Sequence, residues 1–185
     1  MKARRKEFSL FLINFLKNPL RNASVIPSSA TASRMMLEGI DFSRVKTVLE
    51  LGPGNGTFTQ EILRRCQPDT KVILIELETS YLSLLKEKFQ DRVIIEHTSA
   101  HLMDEVLKKH GIAQADVIVS GLPFLPKDIR NPMYEAIKAQ TARGAAFRFF
   151  TYMPPIMKLF YQGVPIEEKH FVLQNIPPMW IYGIN

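Results

Sequence analysis

The residues best suited to chemistry in this sequence are Gly52, Gly54 and Gly56, three glycines that follow an apolar run starting at Val48. Glycine lets a backbone turn tightly and approach a ligand, and the helix expected next offers free N–H groups at its start. Glu76 ends the following apolar run, where a carboxylate can accept two hydrogen bonds from a ribose diol. This arrangement predicts a site for a nucleoside-containing cofactor.

The spacing of the glycines indicates which cofactor this is. Gly-x-Gly-x-Gly, rather than Gly-x-Gly-x-x-Gly, favours S-adenosylmethionine over a dinucleotide, and an acidic residue inside the motif points the same way. The alternative is a structural turn, because many strands end in glycine turns. The predicted cofactor-binding residues at the first two strand ends are Glu50, Gly52, Pro53, Gly54, Asn55, Gly56, Thr57, Phe58, Glu76 and Leu77.

The later strand ends suit the same site, because ligands in sheets of this kind bind beyond the carboxyl ends of the strands. After the third strand, Ser99 and the N–H of Ala100 are expected to read an adenine edge. The alternative there is an ordinary turn. After the fourth strand, Ser120 is expected to lie close to the cofactor as well as to the acceptor.

The acceptor end is predicted from the loop that begins with Ser120, Gly121 and Leu122. This loop is expected where the methyl group is delivered, and its backbone carbonyls could hold an acceptor amine. The alternative is a loop shaped only by its Gly and Pro residues. Tyr152, after the fifth strand, either orients the acceptor or is a packed aromatic side chain. No metal site is predicted.

Apolar runs and helical patterns alternate from residue 47 onward, which indicates parallel strands with helices on both sheet faces. Thr57 and Gln60 have capping-box spacing, which predicts a helix start at the glycine loop. We predict an α/β, Rossmann-like fold with a seven-stranded, mostly parallel sheet and an antiparallel final hairpin. This domain is expected over 31–185, after an arm of residues 1–30. The predicted strands are 47–51, 71–76, 92–96, 116–120, 144–151, 169–174 and 179–184, and the helices 5–17, 30–39, 57–66, 79–89, 101–110, 131–142 and 155–161.

The N-terminal arm carries most of the positive charge. Residues 1–22 hold six basic side chains and one acidic side chain, so +5 of the net charge of +6 lies there. The amphipathic helix predicted in the arm has an apolar stripe at helical spacing. We expect this stripe and the basic residues together to bind an anionic membrane. The predicted membrane-binding residues are Arg4, Arg5, Phe8, Phe11, Leu12, Phe15 and Leu16.

Two other interpretations of the arm stay open: a stripe that packs on the core or on a partner subunit, and a secretion signal. The second is disfavoured because Lys17, Asn18, Pro19 and Arg21 stand where small residues should follow. The apolar run also falls far short of the ~20 residues that span a bilayer. The single Cys66 suits a reducing cytosol. The expected location is therefore cytoplasmic, at the inner face of the membrane.

Five segments carry a resemblance to a known family: 25–29, 50–54, 119–123, 150–152 and 175–178. There the chain resembles class I S-adenosylmethionine-dependent methyltransferases, and more closely the bacterial phospholipid N-methyltransferases. That family is itself similar to the rRNA adenine dimethyltransferases. The glycine motif is typical of the whole superfamily, whereas the Pro-Ser-Ser and Ser-Gly-Leu-Pro segments are much more specific.

The resemblance implies successive methylation of a membrane lipid amine, such as phosphatidylethanolamine or an ornithine lipid, with S-adenosylmethionine as donor. It also implies a membrane-seeking N-terminal helix, and it adds Ser28 and Ser29 to the cofactor site. The chain departs from related patterns at two places. Ser99 stands where an acid usually lies near the adenine. Ser120 and Phe124 replace the Asn and the aromatic residue of nucleic-acid amine methylases.

Two other functions stay open. An RNA adenine methyltransferase could use the basic arm on phosphates, but a duplex-binding enzyme usually spreads Lys and Arg over a face. No stable nucleic-acid partner is therefore expected. An inactive module whose helix packs on a partner is disfavoured by the intact glycine loop and by Glu76.

Overall fold

The computed structural model describes residues 30–122, 125–152, 154–155, 161, 164–173 and 178–185, which include a seven-stranded sheet. The strands are β1 (Thr47–Leu51), β2 (Lys71–Glu76), β3 (Ile94–His97), β4 (Val117–Ser120), β5 (Ala146–Thr151), β6 (Glu167–Val172) and β7 (Met179–Ile184). Their order is β3-β2-β1-β4-β5-β7-β6. The first five strands run parallel, and β7 is antiparallel to both of its neighbours. The predicted Rossmann-like sheet with its antiparallel hairpin is confirmed.

Helices cover both faces of this sheet. They are α1 (Ala30–Met36), α2 (Thr57–Arg65), α3 (Thr79–Phe89), α4 (Met103–Lys109) and α5 (Lys127–Ala142), with single 3-10 turns at Gln90–Arg92 and Ala100–Leu102. Side chains of α4 and α5 close one apolar core, and those of α1, α2 and α3 close the other. The predicted helix 5–17 and most of 155–161 lie outside the described residues.

Successive residues of β1 point to opposite faces, so that Leu49 and Leu51 join the first core and Val48 joins the second. Both faces are buried, which explains why the central strands are apolar along their whole length. The carboxyl ends of β1 to β5 all lie at one edge of the sheet, because these strands are parallel. This edge, called the carboxyl edge below, is where such sheets bind ligands.

The predicted start of α5, at residue 131, was wrong by four residues. Asn131-Pro132 has the composition of a helix start, yet α5 begins at Lys127 and contains Pro132. The Pro126 carbonyl accepts the N–H of Ile129 at 3.2 Å and that of Arg130 at 2.8 Å, which closes the first turn. The helix therefore reaches one turn closer to the end of β4 than the sequence indicated.

Three strands also begin two residues away from their predicted starts: β3 and β5 begin late, at Ile94 and Ala146, and β6 begins early, at Glu167. β3 begins at Ile94 because the 3-10 turn occupies Gln90–Arg92, after Gln90 takes a positive φ of 49°. β6 begins and ends two residues early, and its register with β7 shifts between Glu168 and His170. Such an irregularity inserts a residue and turns the side chains that follow.

A buried arginine on β5 connects β5, the end of β7 and the segment after α1 through hydrogen bonds. Arg148 is 1% exposed, and its guanidinium donates to the carbonyls of Phe147 at 3.0 Å, Ile184 at 2.7 Å and Glu38 at 3.4 Å, and to the Asn185 side chain. Its Nε has no hydrogen-bond partner among the described residues. Burial lowers the pKa of Arg148. No sequence pattern predicted that this arginine would lie inside the protein.

Candidate cofactor site and acceptor end

The glycine loop leaves β1 through backbone conformations that favour glycine. Gly52, Gly54 and Gly56 have φ values of 69°, 55° and 76°, all in the left-handed region. The Gly52 N–H donates to the Ile75 carbonyl of β2 at 2.9 Å, so the loop starts as a continuation of the sheet. The predicted tight turn is present, and side chains at these positions would strain it.

Glu76 holds the middle of this loop. One carboxylate oxygen accepts the Gly54 N–H at 3.0 Å, and the other accepts the Glu78 N–H at 2.8 Å. Glu76 is only 7% exposed, and each of its oxygens keeps a second lone pair for a ribose hydroxyl. A Cβ on Gly54 would meet nothing within 4 Å and would project into open space. The loop and the carboxylate therefore form one cradle.

The start of α2 is confirmed, but the predicted capping box is wrong. Gly56 is the N-cap residue and has no side chain to donate or accept. The Asn55 Oδ1 accepts the Thr57 N–H at 3.3 Å and its hydroxyl at 2.6 Å. A Cβ on Gly56 would lie 2.4 Å from the Phe89 ring. Gly56 therefore lets α2 pack closely on α3, and Asn55 caps the helix in place of Thr57.

Glu50 lies beneath the loop, on the face covered by α2. It is 1% exposed, and the Thr59 hydroxyl donates to its carboxylate at 2.7 Å. Burial is the main reason that the pKa of Glu50 is raised to about 7; the Thr59 hydrogen bond opposes this rise, and the charge of Glu76 contributes to it. Glu50 is thus a buried carboxyl beside the cradle.

A cleft opens at the carboxyl edge between the ends of β2, β3 and β4. It brings together six residues of the predicted site: Gly52, Glu76, Leu77, Ser99, Ala100 and Leu122. Four residues that the sequence did not single out also line it: Ile75, Thr98, Leu125 and Ile129. Ile129 belongs to the first turn of α5, and the prediction missed it because it began that helix too late.

Ser99 and Ala100 occupy the end of β3, as the sequence predicted. The Ser99 Oγ lies 2.8 Å from Nδ1 of His101, which fixes the serine side chain beside the cleft. The ring of His97 reaches the Leu77 carbonyl at 3.1 Å and ties the ends of β3 and β2 together. Because a carbonyl can only accept, Nε2 of His97 carries the hydrogen. Both histidines support the cleft, a role the sequence did not reveal.

The end of β4 lies directly against the glycine loop. The Gly121 N–H donates to the Leu51 carbonyl at 2.9 Å, and a Cβ on Gly121 would lie 2.7 Å from the Gly52 carbonyl oxygen. Ser120 is buried, and its Oγ accepts the Leu122 N–H at a long 3.4 Å. Gly121 thus allows two backbones to touch where the acceptor end was predicted.

Tyr152 packs on one face of the sheet, and the cleft-lining Leu122 and Leu125 pack on the other. Its ring meets Phe150 edge-on at 5.6 Å, and Phe150 packs on Phe58 at 5.5 Å. Both rings pack against the core closed by α1, α2 and α3. Phe58 is 5% exposed and does not line the cleft.

Several predicted residues lie outside the part of the chain that the structure describes. They are Ser28 and Ser29 of the cofactor prediction, Phe124 of the β4 loop, and the whole membrane-binding set, Arg4, Arg5, Phe8, Phe11, Leu12, Phe15 and Leu16. Pro53, also in the cofactor prediction, is buried inside the loop, where its carbonyl accepts the Gly56 N–H at 2.9 Å.

The residues present fit S-adenosylmethionine. The open space at Gly54 allows a ligand to approach the backbone, and the buried Glu76 carboxylate can accept ribose hydroxyls. Ser99 and Ala100 would face the adenine, and Leu77 and Leu122 would supply apolar walls. The glycine loop, the strand-end carboxylate and the sheet order together define a class I S-adenosylmethionine-dependent methyltransferase.

Known proteins agree with this class. The family model described as ribosomal RNA adenine dimethylase matches residues 9–124, more than half of the chain. The chain is 34% identical to an ornithine lipid N-methyltransferase of Singulisphaera acidiphila over 183 residues, covering 96% of this chain and 95% of that one. It is 38% identical to a ribosomal RNA small subunit methyltransferase A of Clostridium botulinum over 56 residues, 30% of this chain and 19% of that one.

Solved structures share the fold at low sequence identity. An S-adenosylmethionine-dependent methyltransferase from Aquifex aeolicus aligns with a TM-score of 0.59 at 14% identity, covering 88% of this chain and 94% of that one. Aeropyrum pernix fibrillarin, solved with natively bound S-adenosylmethionine, aligns with a TM-score of 0.57 at 15% identity, covering 82% of this chain and 73% of that one. The chain belongs to the ribosomal RNA adenine dimethylase family. It is an S-adenosylmethionine-dependent N-methyltransferase.

Proposed function

We propose that this enzyme methylates the amine of a membrane lipid head group, of the phosphatidylethanolamine or ornithine-lipid type. The observation that carries the proposal is the match to the ornithine lipid N-methyltransferase, which runs over nearly the full length of both chains. The ribosomal RNA small subunit methyltransferase A match covers 30% of this chain. A probable dimethyladenosine transferase of Dictyostelium discoideum matches 93% of this chain, but at 29% identity and over only 45% of its own length.

The charge of the described residues also supports a lipid rather than an RNA acceptor. These residues contain 17 basic and 17 acidic side chains, so their net charge is zero. Binding to duplex nucleic acid draws most of its affinity from basic side chains on phosphates. The excess positive charge lies instead in the arm, where it is combined with an apolar stripe.

The chain's part in the reaction is alignment. S-adenosylmethionine, when bound, would supply a methyl group on a sulfonium; as an uncharged amine forms the new C–N bond, the C–S bond breaks and the thioether S-adenosylhomocysteine leaves. Glu76 and the glycine loop fix the donor end, and the loop after Ser120 lies against Gly52, beside that donor. We propose that backbone carbonyls of this loop orient the amine and that apolar walls exclude water from the reacting atoms.

The acceptor lies in a bilayer, so the enzyme must reach one. We propose that residues 1–18 bind anionic lipid through the apolar stripe and the basic residues before it, at the cytoplasmic face of the membrane. In the part of the chain that the structure describes, no helix is long and apolar enough to cross a membrane.

The acceptor class is tested by incubating the enzyme with methyl-labelled S-adenosylmethionine and separate substrates. The substrates are phosphatidylethanolamine vesicles, ornithine-lipid vesicles, both containing phosphatidylglycerol, and a structured rRNA fragment. We expect label in a lipid and none in RNA, with Gly54→Val as the inactive control. Efficient labelling of adenine together with no label in either lipid would replace the proposal by RNA methylation.

The arm is tested by changing Phe11 and Phe15 together to Glu. Flotation with anionic vesicles should be lost, while S-adenosylmethionine binding should be unchanged. Higher salt should weaken the wild type as well, because surface charge attraction is screened beyond a Debye length of ~10 Å at 0.1 M. If the wild type never floats and the double variant aggregates, the stripe is part of the core and this membrane contact is wrong.

A further inference from the structure

Few large apolar side chains are exposed in the described residues, and two of them lie together. Phe171 is 45% exposed at the end of β6, and Leu173, just after it, is 70% exposed. The ring of Phe171 packs on the half-buried Trp180 of β7, with centroids 4.7 Å apart. We call Phe171, Leu173 and Trp180 the edge cluster. None of its members carries a charge.

The edge cluster lies at the carboxyl edge, away from the cleft. β6 runs antiparallel to β7, and β7 runs antiparallel to β5, so the end of β6 and the start of β7 both reach this edge. β6 is the outermost strand, three strands from β4, which at ~4.8 Å per strand is roughly 14 Å. None of the cleft-lining residues comes from β6 or β7. The cluster therefore has no part in holding the cofactor.

The first described helix, α1, begins at the same edge. The Ser33 hydroxyl of α1 lies 3.5 Å from the Thr57 carbonyl at the start of α2, which places the first turn of α1 beside the glycine loop. Helix α1 also contacts β6. The described chain therefore begins at the carboxyl edge, near the strand that carries Phe171. The start of α1, the cleft and the edge cluster share one side of the described domain.

We propose that the edge cluster is a second membrane contact, which inserts into the bilayer that holds the lipid acceptor. This inference rests on the proposed lipid substrate. Trp is suited to the boundary between lipid and water because its ring is apolar and its N–H is polar, and Phe and Leu are suited to shallow insertion as apolar side chains. With the arm at one point and the cluster at another, the carboxyl edge faces the membrane and the cleft opens towards the head groups.

A bilayer fits this cluster better than a protein partner does. A stable protein interface buries about 800 Å² on each side, from 20 or more residues. The edge cluster offers three side chains, of which Trp180 is already half covered. Shallow insertion into lipid needs only a few apolar side chains, and the arm supplies further affinity. Because the cluster is uncharged, its contribution should persist in high salt, unlike that of the arm.

Trp180 is the single tryptophan of the chain and reports on the cluster directly. Vesicles of phosphatidylethanolamine and phosphatidylglycerol should shift its emission to shorter wavelength, and brominated acyl chains should quench it. Phe171→Ser with Leu173→Ser should lower vesicle binding by roughly tenfold, because two partly inserted apolar side chains are lost. Leu84→Ser is the matched control, since Leu84 is 39% exposed on α3, and it should bind as the wild type does.

Folding and activity are checked in the same variants. Leu173→Ser alone, at the most exposed position, should keep the wild-type unfolding midpoint and still weaken binding. Methylation of lipid amine in detergent micelles should be unchanged in the double variant, while methylation in vesicles should fall. If the wild type methylates no lipid in either form, the proposed function fails, but the emission of Trp180 still decides the membrane contact.

Three outcomes would overturn the edge cluster as a membrane contact. Trp180 emission could be insensitive to vesicles to which the protein binds. The double variant and the Leu84 control could bind vesicles equally. Trp180 emission could instead change with protein concentration in the absence of lipid, which would make the cluster an interface between two copies of the chain.

Discussion

The sheet has two halves, on either side of β4, that are held together by different interactions. In the β1–β3 half, a backbone loop is tied to a buried carboxylate through Gly54 and Glu76. In the β5–β7 half, aromatic rings pack on one another, such as Phe149 on Tyr161 at 4.4 Å and on Tyr182 at 5.7 Å. The first half is organised by polar groups that can form further hydrogen bonds to a ligand. The second half is organised by aromatic packing, beside which a ligand would lie without taking part in it.

The largest effect is expected in the packed half, at Arg148. Arg148→Ala should lower the free energy of unfolding by about 3 kcal/mol or more, because three carbonyls and the Asn185 side chain lose their donor and a cavity opens. Urea denaturation measures this. Arg148→Lys keeps the charge but not the fork of donors and should recover only part of the loss. Full stability of the alanine variant would show that the β5–β7 half does not depend on this arginine.

The cofactor half should respond in ligand affinity rather than in folding. Glu76→Ala removes the acceptor of two backbone N–H groups and of the ribose, and should weaken S-adenosylmethionine binding roughly 100-fold by calorimetry. Gly54→Val should do the same, because it strains a φ of 55° and fills the open space beside the loop.

Glu78→Ala is the matched control for that experiment. Glu78 caps α3 by accepting the Ser80 N–H at 3.3 Å and is exposed. The Glu78→Ala substitution should lower the stability of α3 slightly and leave the affinity for S-adenosylmethionine within a few-fold of the wild type. Unchanged affinity in both the Glu76 and the Gly54 variants would contradict the cofactor site.

The two halves also differ in how far the sequence predicts them. Glycine spacing and the acid at the end of β2 are local signals, and they correctly predicted the tight turn and its neighbouring carboxylate, although only three of the ten residues that they predicted line the cleft: Gly52, Glu76 and Leu77. Arg148 could not be found, because its burial depends on Glu38 and the end of β7, which are far away in the sequence. Ile129 was missed for a local reason, the early start of α5 after Pro126.

The same contrast holds for single residues within the motif. The sequence grouped Gly54 and Gly56 as cofactor residues, but only Gly54 opens into free space, and Gly56 meets Phe89 of α3. Spacing predicts that a turn needs glycine, whereas the packing of two helices decides which glycine faces a ligand. Likewise the burial of Glu50 against Thr59 is a tertiary fact that its place in the motif did not reveal.

Glu50 should make stability depend on pH. Its pKa is raised to about 7 in the folded state, against 4.5 for the ordinary group. Between these values the folded state binds more protons than the unfolded state, so stability should fall as pH rises from about 4.5 to 7, by roughly 2 kcal/mol. Glu50→Gln should flatten that part of the profile in urea titrations from pH 4.5 to 8. An identical slope in both proteins would show that Glu50 ionises freely.

Glu61 should give a smaller effect of opposite sign. Hydrogen bonds from Arg64 and Arg65 outweigh burial and lower its pKa to about 2. Arg65 in turn donates to the Leu37 and Arg34 carbonyls at 2.8 Å, so Glu61 helps to fasten α2 to α1. A depressed pKa contributes stability that is present above about 4.5 and is lost as pH falls towards 2.

Glu61→Gln should therefore cost about 1 kcal/mol at pH 7, and the difference from the wild type should shrink as the pH falls from 4.5 towards 2. The control is Glu135→Gln, which removes an exposed pair with Lys138 on α5 and should change stability by less than about 0.5 kcal/mol. Denaturant titrations of both variants at pH 7 and pH 3 make the comparison. If the Glu61 variant loses no more than the Glu135 variant at pH 7, Glu61 does not help to hold α1 to the cofactor half, and the apolar contacts and the hydrogen bonds of Ser33 and Arg65 are sufficient.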